Sequence, residues 1–167
     1  RVLLLEAGPR VLSSFPESLS EKARKQLERL GVEVHTGTPV GAIDADGVLL
    51  GTQRIAARTV LWSAGVAASP LAKSLGVPLD RAGRVPVQAD LSIAGLPEVF
   101  VAGDLASVQQ EGKPVPGVAP AAKQMGDCVA KVIRARIAGQ AAASFRYRDF
   151  GNLATIGRMA AVVDVRG

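Results

Sequence analysis

The 167 residues carry 48% hydrophobic and 21% charged side chains, enough for a packed core and too apolar for a disordered chain. A single cysteine, Cys128, excludes an internal disulfide and any all-cysteine metal site, and is compatible with a reducing cytosol. The net charge of +5 is spread along the chain with few aromatics between the cations, which argues against nucleic acid and suits an anionic lipid surface or an anionic dinucleotide.

No apolar run approaches the ~20 residues that span a bilayer. Arg1 leads straight into the strand-like run Val2 to Leu5 without an initiator Met, so the chain reads as a piece of a longer one. After Glu6, Ala7-Gly8-Pro9 is a breaker, and Ser18-Leu19-Ser20-Glu21 has the spacing of a helix capping box. Leu19, Ala23, Leu27 and Leu30 then recur at helical spacing up to the stop at Gly31, and Val32 and Val34 open a second strand. Strand, amphipathic helix and strand predict a βαβ unit and a partly parallel sheet.

From Val40 the texture changes. Ile43 to Leu50 has an Asp46-Gly47 turn between apolar segments, and Gln53 to Ala57 adds a third short strand, predicting a small antiparallel layer. Thr59-Val60-Leu61-Trp62-Ser63 reads as a buried parallel strand, with Trp62 in the core, ending in the small pair Ala64-Gly65. A short helix opens at Ser69-Pro70-Leu71 and stops at Gly76. Asp80-Arg81-Ala82-Gly83-Arg84 is a polar turn, expected to cross between domains.

Val85 and Val87 form a brief strand. Val99-Phe100-Val101-Ala102 is a purely apolar run that reads as a strand buried on both faces, ending in Gly103 and Asp104 at the carboxyl edge of the sheet. A long helix follows from Ala119-Pro120-Ala121-Ala122 to about Gly139. Ala122, Met125, Val129, Val132, Ile133 and Ile137 should face inward, and Lys131, Arg134 and Arg136 outward. Phe145 to Val165 is strand-like with interruptions at Gly151 and Gly157.

The residues that carry chemistry are few. Asp104 can accept hydrogen bonds from sugar or ribityl hydroxyls, or it is a turn-capping Asp. Glu6 ends the first strand of a βαβ unit, where an acidic residue binds a ribose 2′-OH, although spacing alone favours an exposed strand-end Glu. His35 has no partner spaced for metal or triad chemistry, and Cys128 reads as a small core residue. No catalytic residue and no metal ligand is assigned. Such a site fits a cofactor enzyme, in which the protein positions and tunes.

Five stretches together resemble one family. They are Glu6-Ala7-Gly8-Pro9-Arg10-Val11-Leu12, Thr59 to Val66, Val99 to Leu105, Gly117-Val118-Ala119-Pro120-Ala121-Ala122-Lys123-Gln124, and Gly151-Asn152-Leu153-Ala154-Thr155-Ile156-Gly157-Arg158. In this order they resemble the type II NADH dehydrogenases, FAD-containing NADH:quinone oxidoreductases of the pyridine nucleotide-disulphide oxidoreductase superfamily. The resemblance implies an α/β fold, a partial Rossmann-like two-dinucleotide-binding-domain flavoprotein with a parallel sheet plus a small antiparallel β layer. It further implies three parts: 1–78 as the C-terminal part of the NADH-binding domain, 79–144 as the returning part of the FAD-binding domain, and 145–167 as the start of a C-terminal region.

By the same resemblance Glu6 would bind the adenosine ribose of NADH, and Ala64 and Gly65 would line the meeting place of nicotinamide and flavin. Gly103 and Asp104 would hold the ribityl chain of FAD. Ala122, Lys123 and Gln124, opening the long helix, would sit by the isoalloxazine ring and the quinone pocket. Some members carry Gln where this chain has Pro120, and a second Gln in place of Met125. Both glycine-rich dinucleotide loops and the membrane-binding helices of the family are expected outside this chain. The whole protein would pass hydride from NADH to FAD and electrons to a quinone without pumping protons. It is expected to be cytoplasmic, attached peripherally to an anionic membrane surface, and homo-oligomeric. The isolated piece is expected to be soluble and inactive. A non-catalytic folding or dimerisation module, or another FAD-dependent NAD(P)H reductase, are the alternatives.

Overall fold

Residue periodicity sets the first half of the molecule. Val2–Leu5 (β1) pairs in parallel with Val32–His35 (β2) in the register Val2↔Val32 to Leu5↔His35, joined by the helix Glu17–Arg29 (α1). The computed structural model describes residues 1–165, in two compact units: residues 1–63 with the segment from Phe150, and residues 64–149. Residues 166 and 167 of the expected C-terminal region lie outside the described residues.

The expected capping box does not form. Pro16 caps α1, its carbonyl accepting from Leu19 N at 2.9 Å and Ser20 N at 3.0 Å, and the Glu21 carboxylate turns instead to Arg24 at 2.6 Å. The helix starts near Glu17 because Arg10 shapes the loop before it. Its guanidinium donates to Phe15 O at 2.7 Å, Ser13 O and the Ser20 hydroxyl at 2.8 Å, and Ser20 Oγ donates to Val11 O. At the other end Gly31 takes a positive φ of 82°, as a helix stop requires.

Ala42–Asp44 (β3), Gly47–Leu50 (β4) and Gln53–Ala56 (β5) form the expected antiparallel layer around the Asp46-Gly47 turn. Gly47 is required there, since a Cβ would lie 2.2 Å from Ile55 O. The next expectation fails. Thr59 to Ser63 pairs with no strand among the described residues, leaving Leu61 88% and Trp62 65% exposed. An apolar run becomes a buried parallel strand only with a ladder partner on either side and cover on both faces, and within this unit none is supplied.

The second unit opens with the short helix Leu71–Ser74 (α2), followed by Val85–Pro86 (β6). Ser92–Ile93 (β7) and Leu96–Phe100 (β8) are an antiparallel hairpin turned at Gly95. The run Val99 to Ala102 is thus not a strand of a parallel sheet. Val99 and Phe100 are half-buried, Val101 is buried and donates to Leu91 O, and Ala102 is exposed. A single 3₁₀ turn, Gly103–Leu105, leads to Ala106–Ser107 (β9), and it is β9 that pairs in parallel with β6. Gln109–Gln110 (β10) and Lys113–Pro114 (β11) make a small hairpin before the helix Ala119–Ile137 (α3).

The inward face of α3 holds Met125, Val129 and Val132 as expected, but not its last two isoleucines. Ala121, Met125 and Val132 are buried, whereas Ile133 is 42% and Ile137 84% exposed. Cys128 and Val129 pack against the core, as a small core thiol should. Arg136, expected on the solvated face, folds back to Asp90 at 2.6 Å and lies over the Phe100 ring at 5.0 Å. The core of this unit gathers Val85, Leu91, Val101, Ala106, Ala121, Met125 and Tyr147.

Gly151–Gly157 (β12) and Ala160–Val165 (β13) form an antiparallel hairpin in the first unit. One face, with Ala154, Ile156 and Val162, joins Val11, Phe15, Leu19 and Ala23 in the first unit's core. This arrangement is the α/β fold, with parallel and antiparallel pairing, that the sequence predicts.

Candidate functional site

The apolar hairpin β7–β8 delivers the chain to Gly103 at the mouth of a crevice, and α3 closes it from the other side. Gly103 has a φ of +74°, and a Cβ on it would come 3.5 Å from Ala122 Cβ. Its N–H donates to the Met125 sulfur at 3.2 Å, so the 3₁₀ turn is bonded directly to the helix. Asp104 is exposed, and a Cβ on Gly117 would stand 3.4 Å from its Oδ1. Two glycines therefore leave the backbone bare on either side of one carboxylate. Arg84, Val115 and Met125 also line this shallow, solvent-open crevice, whose cavity volume is about 10 Å³.

The expected residues do not all converge there. Gly103, Asp104 and Ala122 do. Lys123 is exposed and does not line the crevice. The Gln124 amide is engaged elsewhere: Oε1 accepts from Arg148 N at 2.9 Å and Nε2 donates to Arg148 O at 3.0 Å. Ala64 and Gly65 (φ +109°) lie exposed in the unpaired stretch after Ser63, away from the crevice lining. At the head of α3, Pro120 has no N–H, and the amides of Ala121 and Ala122 donate to Val118 O, so the helix start offers fewer free donors than its dipole alone suggests.

Arg84 is the residue that sequence reasoning missed, hidden in the polar turn from Asp80. That turn lies inside the second unit. Asp80 accepts from the N–H groups of Ala82 and Arg84 and from Arg84 Nε, each at 2.9 Å. The Arg84 amide above all, with the Ser107 hydroxyl and the Arg84 guanidinium, holds the Asp80 carboxyl at about 2, against desolvation. An acceptor four residues before an arginine, across a glycine turn, was the available signal.

In the first unit Glu6 stands half-buried at the end of β1, its backbone bonded to His35 O and Thr38 N. Gly8 N donates to Glu6 Oε1 at 2.6 Å, which fixes the carboxylate and leaves Oε2 with no partner among the described residues. Among the described residues no cluster of His, Cys, Asp or Glu could hold a metal, and no helix is long and apolar enough to cross a membrane.

A family model described as pyridine nucleotide-disulphide oxidoreductase matches residues 1–126. The chain belongs to this family. Within the pyridine nucleotide-disulphide oxidoreductases, it is 45% identical to a type II NADH:quinone oxidoreductase of Mycobacterium tuberculosis, over 99% of this chain and 37% of that protein. It is 36% identical to a type II NADH:quinone oxidoreductase of Staphylococcus haemolyticus, over 94% of this chain and 40% of that one. The chain thus spans about two fifths of the curated relatives it matches. In fold it is similar to NDH2 of Plasmodium falciparum, solved with NADH, at a TM-score of 0.84 and 16% identity, over 98% of this chain and 49% of that one. An FAD-dependent pyridine nucleotide-disulphide oxidoreductase of Desulfovibrio vulgaris aligns at 0.72 and 24% identity, over 92% and 40% of the two chains.

Proposed function

We propose that this chain is part of a type II NADH:quinone oxidoreductase, a flavoenzyme that takes hydride from NADH onto FAD and delivers two electrons to a membrane quinone without pumping protons. The observation that carries the reading is the crevice in which an exposed carboxylate, Asp104, lies between two bare glycine backbones against the start of α3. A polyol chain fits such a place: its hydroxyls donate to the carboxylate while the glycines allow close approach. Relatives carrying that activity by name at 45% and 36% identity support it.

When bound, FAD would supply the hydride-accepting and electron-passing chemistry; the residues here position it. Asp104 would orient the ribityl hydroxyls. Gly103 and Ala122 would set how closely the helix approaches. Glu6, with Oε1 fixed by Gly8, would accept from the adenosine ribose hydroxyls of NADH through Oε2 and repel a 2′-phosphate. The three-part division at 78/79 and 144/145 belongs to this proposal, as do attachment to an anionic membrane surface, self-association and the flavin-side placing of Ala64, Gly65, Lys123 and Gln124. Cys128 is the only cysteine of the chain and burial pushes its thiol up, so this chain supplies no reactive cysteine pair; the relatives named above favour the quinone-reductase reading over a disulfide-reductase one.

The test uses the full-length protein. It should purify yellow, and NADH should bleach it; a colourless protein unaffected by NADH overturns the proposal. Asp104→Ala should lower the retained flavin severalfold, since a charge-assisted hydrogen bond contributes about 1.5–3 kcal/mol. Unchanged flavin content removes Asp104 from the site.

A further inference from the structure

Arg84 has a place in the crevice that the ribityl reading does not use. Of the described residues lining the space, Asp104 is the only anion and Arg84 the only cation. The side chain of Arg84 is 30% exposed and held by one nitrogen, Nε, which donates to Asp80 Oδ2. No other described side chain or carbonyl takes its terminal nitrogens. Arginine carries five N–H donors in a planar fork, so a guanidinium fixed through Nε still has its terminal pair, the geometry that meets two oxygens of a phosphate.

The turn keeps Arg84 in that state. Asp80 receives two backbone N–H groups of its own turn and the Ser107 hydroxyl besides Nε, so it is already saturated and does not draw the terminal nitrogens toward itself. Asp104 faces the opposite problem. It is exposed and negative, and a carboxylate that reads a ribityl chain necessarily stands close to the phosphate closing that chain. Like charges at such range are unfavourable unless a cation stands between them.

We propose that Arg84 is a phosphate-reading residue of this crevice: its terminal N–H groups, presented by the Asp80 turn, bind the flavin phosphate nearest the ribityl chain and offset the charge of Asp104. This rests on the flavin reading above and adds to it a residue and the chemical group that it recognises. The role is one of binding, with no covalent step.

The experiment compares flavins that differ only in phosphate. Full-length protein stripped of its flavin is titrated with FAD, FMN and riboflavin, as wild type and as Arg84→Gln. The expected result is a loss of about tenfold or more in affinity for FAD and FMN, as a charge-assisted contact predicts, with riboflavin binding changed less than about twofold. Retained riboflavin binding also reports that the variant is folded. Arg84→Lys keeps the charge without the fork and should recover only part of the loss. If Arg84→Gln binds FAD as tightly as wild type, the proposal is overturned while the flavin reading stands. Equal loss for all three flavins makes Arg84 a structural residue and overturns the proposal as well. Wild type that binds none of the three defeats the flavin reading itself.

Discussion

Gly103 is required by its backbone conformation. Its φ of +74° disfavours any side chain, and the space where a Cβ would point is limited by Ala122 at 3.5 Å. Gly103→Ala should therefore cost about 1–2 kcal/mol in backbone strain alone. The contact with Ala122 is ordinary van der Waals spacing, so strain rather than collision accounts for the loss. Urea unfolding of the full-length variant checks this, and an unshifted midpoint contradicts it. Glu6 is the other residue with a sharp expectation. Its Oε1 is committed to Gly8, so Glu6→Gln keeps one acceptor oxygen and removes the charge. The rate with NADPH should rise relative to NADH, read as the ratio of the two kcat/KM values; an unchanged ratio takes Glu6 out of the ribose site.

At the scale of elements, two turns are set by aspartates. The Arg54 guanidinium first, then the Asp46 amide, hold the Asp44 carboxyl at about 2; the Arg84 amide leads at Asp80. Both fall below the ordinary 3.8, so the folded state binds fewer protons than the unfolded one at mildly acid pH. Their stabilisation is complete above about pH 4 and is lost as pH falls toward 2. Wild type should lose stability between pH 5 and pH 2 by urea titration, and Asp80→Asn should lose less over the same interval; equal losses contradict the role of the turn.

Regular elements were legible where local patterning decides them. β1, α1 and β2 sit where periodicity puts them, and the Asp-Gly turn gave β3 to β5. What periodicity does not carry is the identity of a strand's neighbour. Val99 to Ala102 is as apolar as a central parallel strand, yet it pairs antiparallel with β7 because Gly95 reverses the chain first. The capping box failed because Arg24, one turn on, offers Glu21 a full charge where Ser18 offers an amide. In α3 Ala121 joins the expected Met125, Val129 and Val132 against the core, while Ile133 and Ile137 near the helix end are left exposed. Gly103 and Asp104 could be singled out from the sequence as candidates, and they line the same crevice. Arg84 could not, because the other charged residue lining the crevice, Asp104, is twenty residues away and only folding puts both on one lining.

For the molecule as a whole, the exposed apolar surface is the feature with measurable consequences. Leu61, Trp62 and Val66 are 88%, 65% and 83% exposed in one continuous stretch, and Met159 is 97% exposed at the tip of the β12–β13 turn. Exposed apolar side chains of this kind favour association. Trp62 is the chain's single tryptophan. In the 167-residue chain its fluorescence should be red-shifted and readily quenched by iodide in dilute solution. Raising the concentration should shift the emission to the blue as the stretch becomes covered. Emission that is blue and unquenchable at every concentration means that Trp62 is buried in the chain itself.

Gln124 has a counterpart in Gln110, whose Oε1 accepts from Tyr147 N at 2.8 Å and whose Nε2 donates to Tyr147 O at 3.1 Å. Two neighbouring peptide units are thus each held by a side-chain amide that imitates the opposite edge of a sheet. Such a grip recognises backbone only, so it is indifferent to which side chains residues 147 and 148 carry. Hydrolysis of either amide to a carboxylate would keep the acceptor, delete the donor and set a negative charge against a carbonyl oxygen. The segment before Phe150 is therefore held through two amides that lie far from it in sequence.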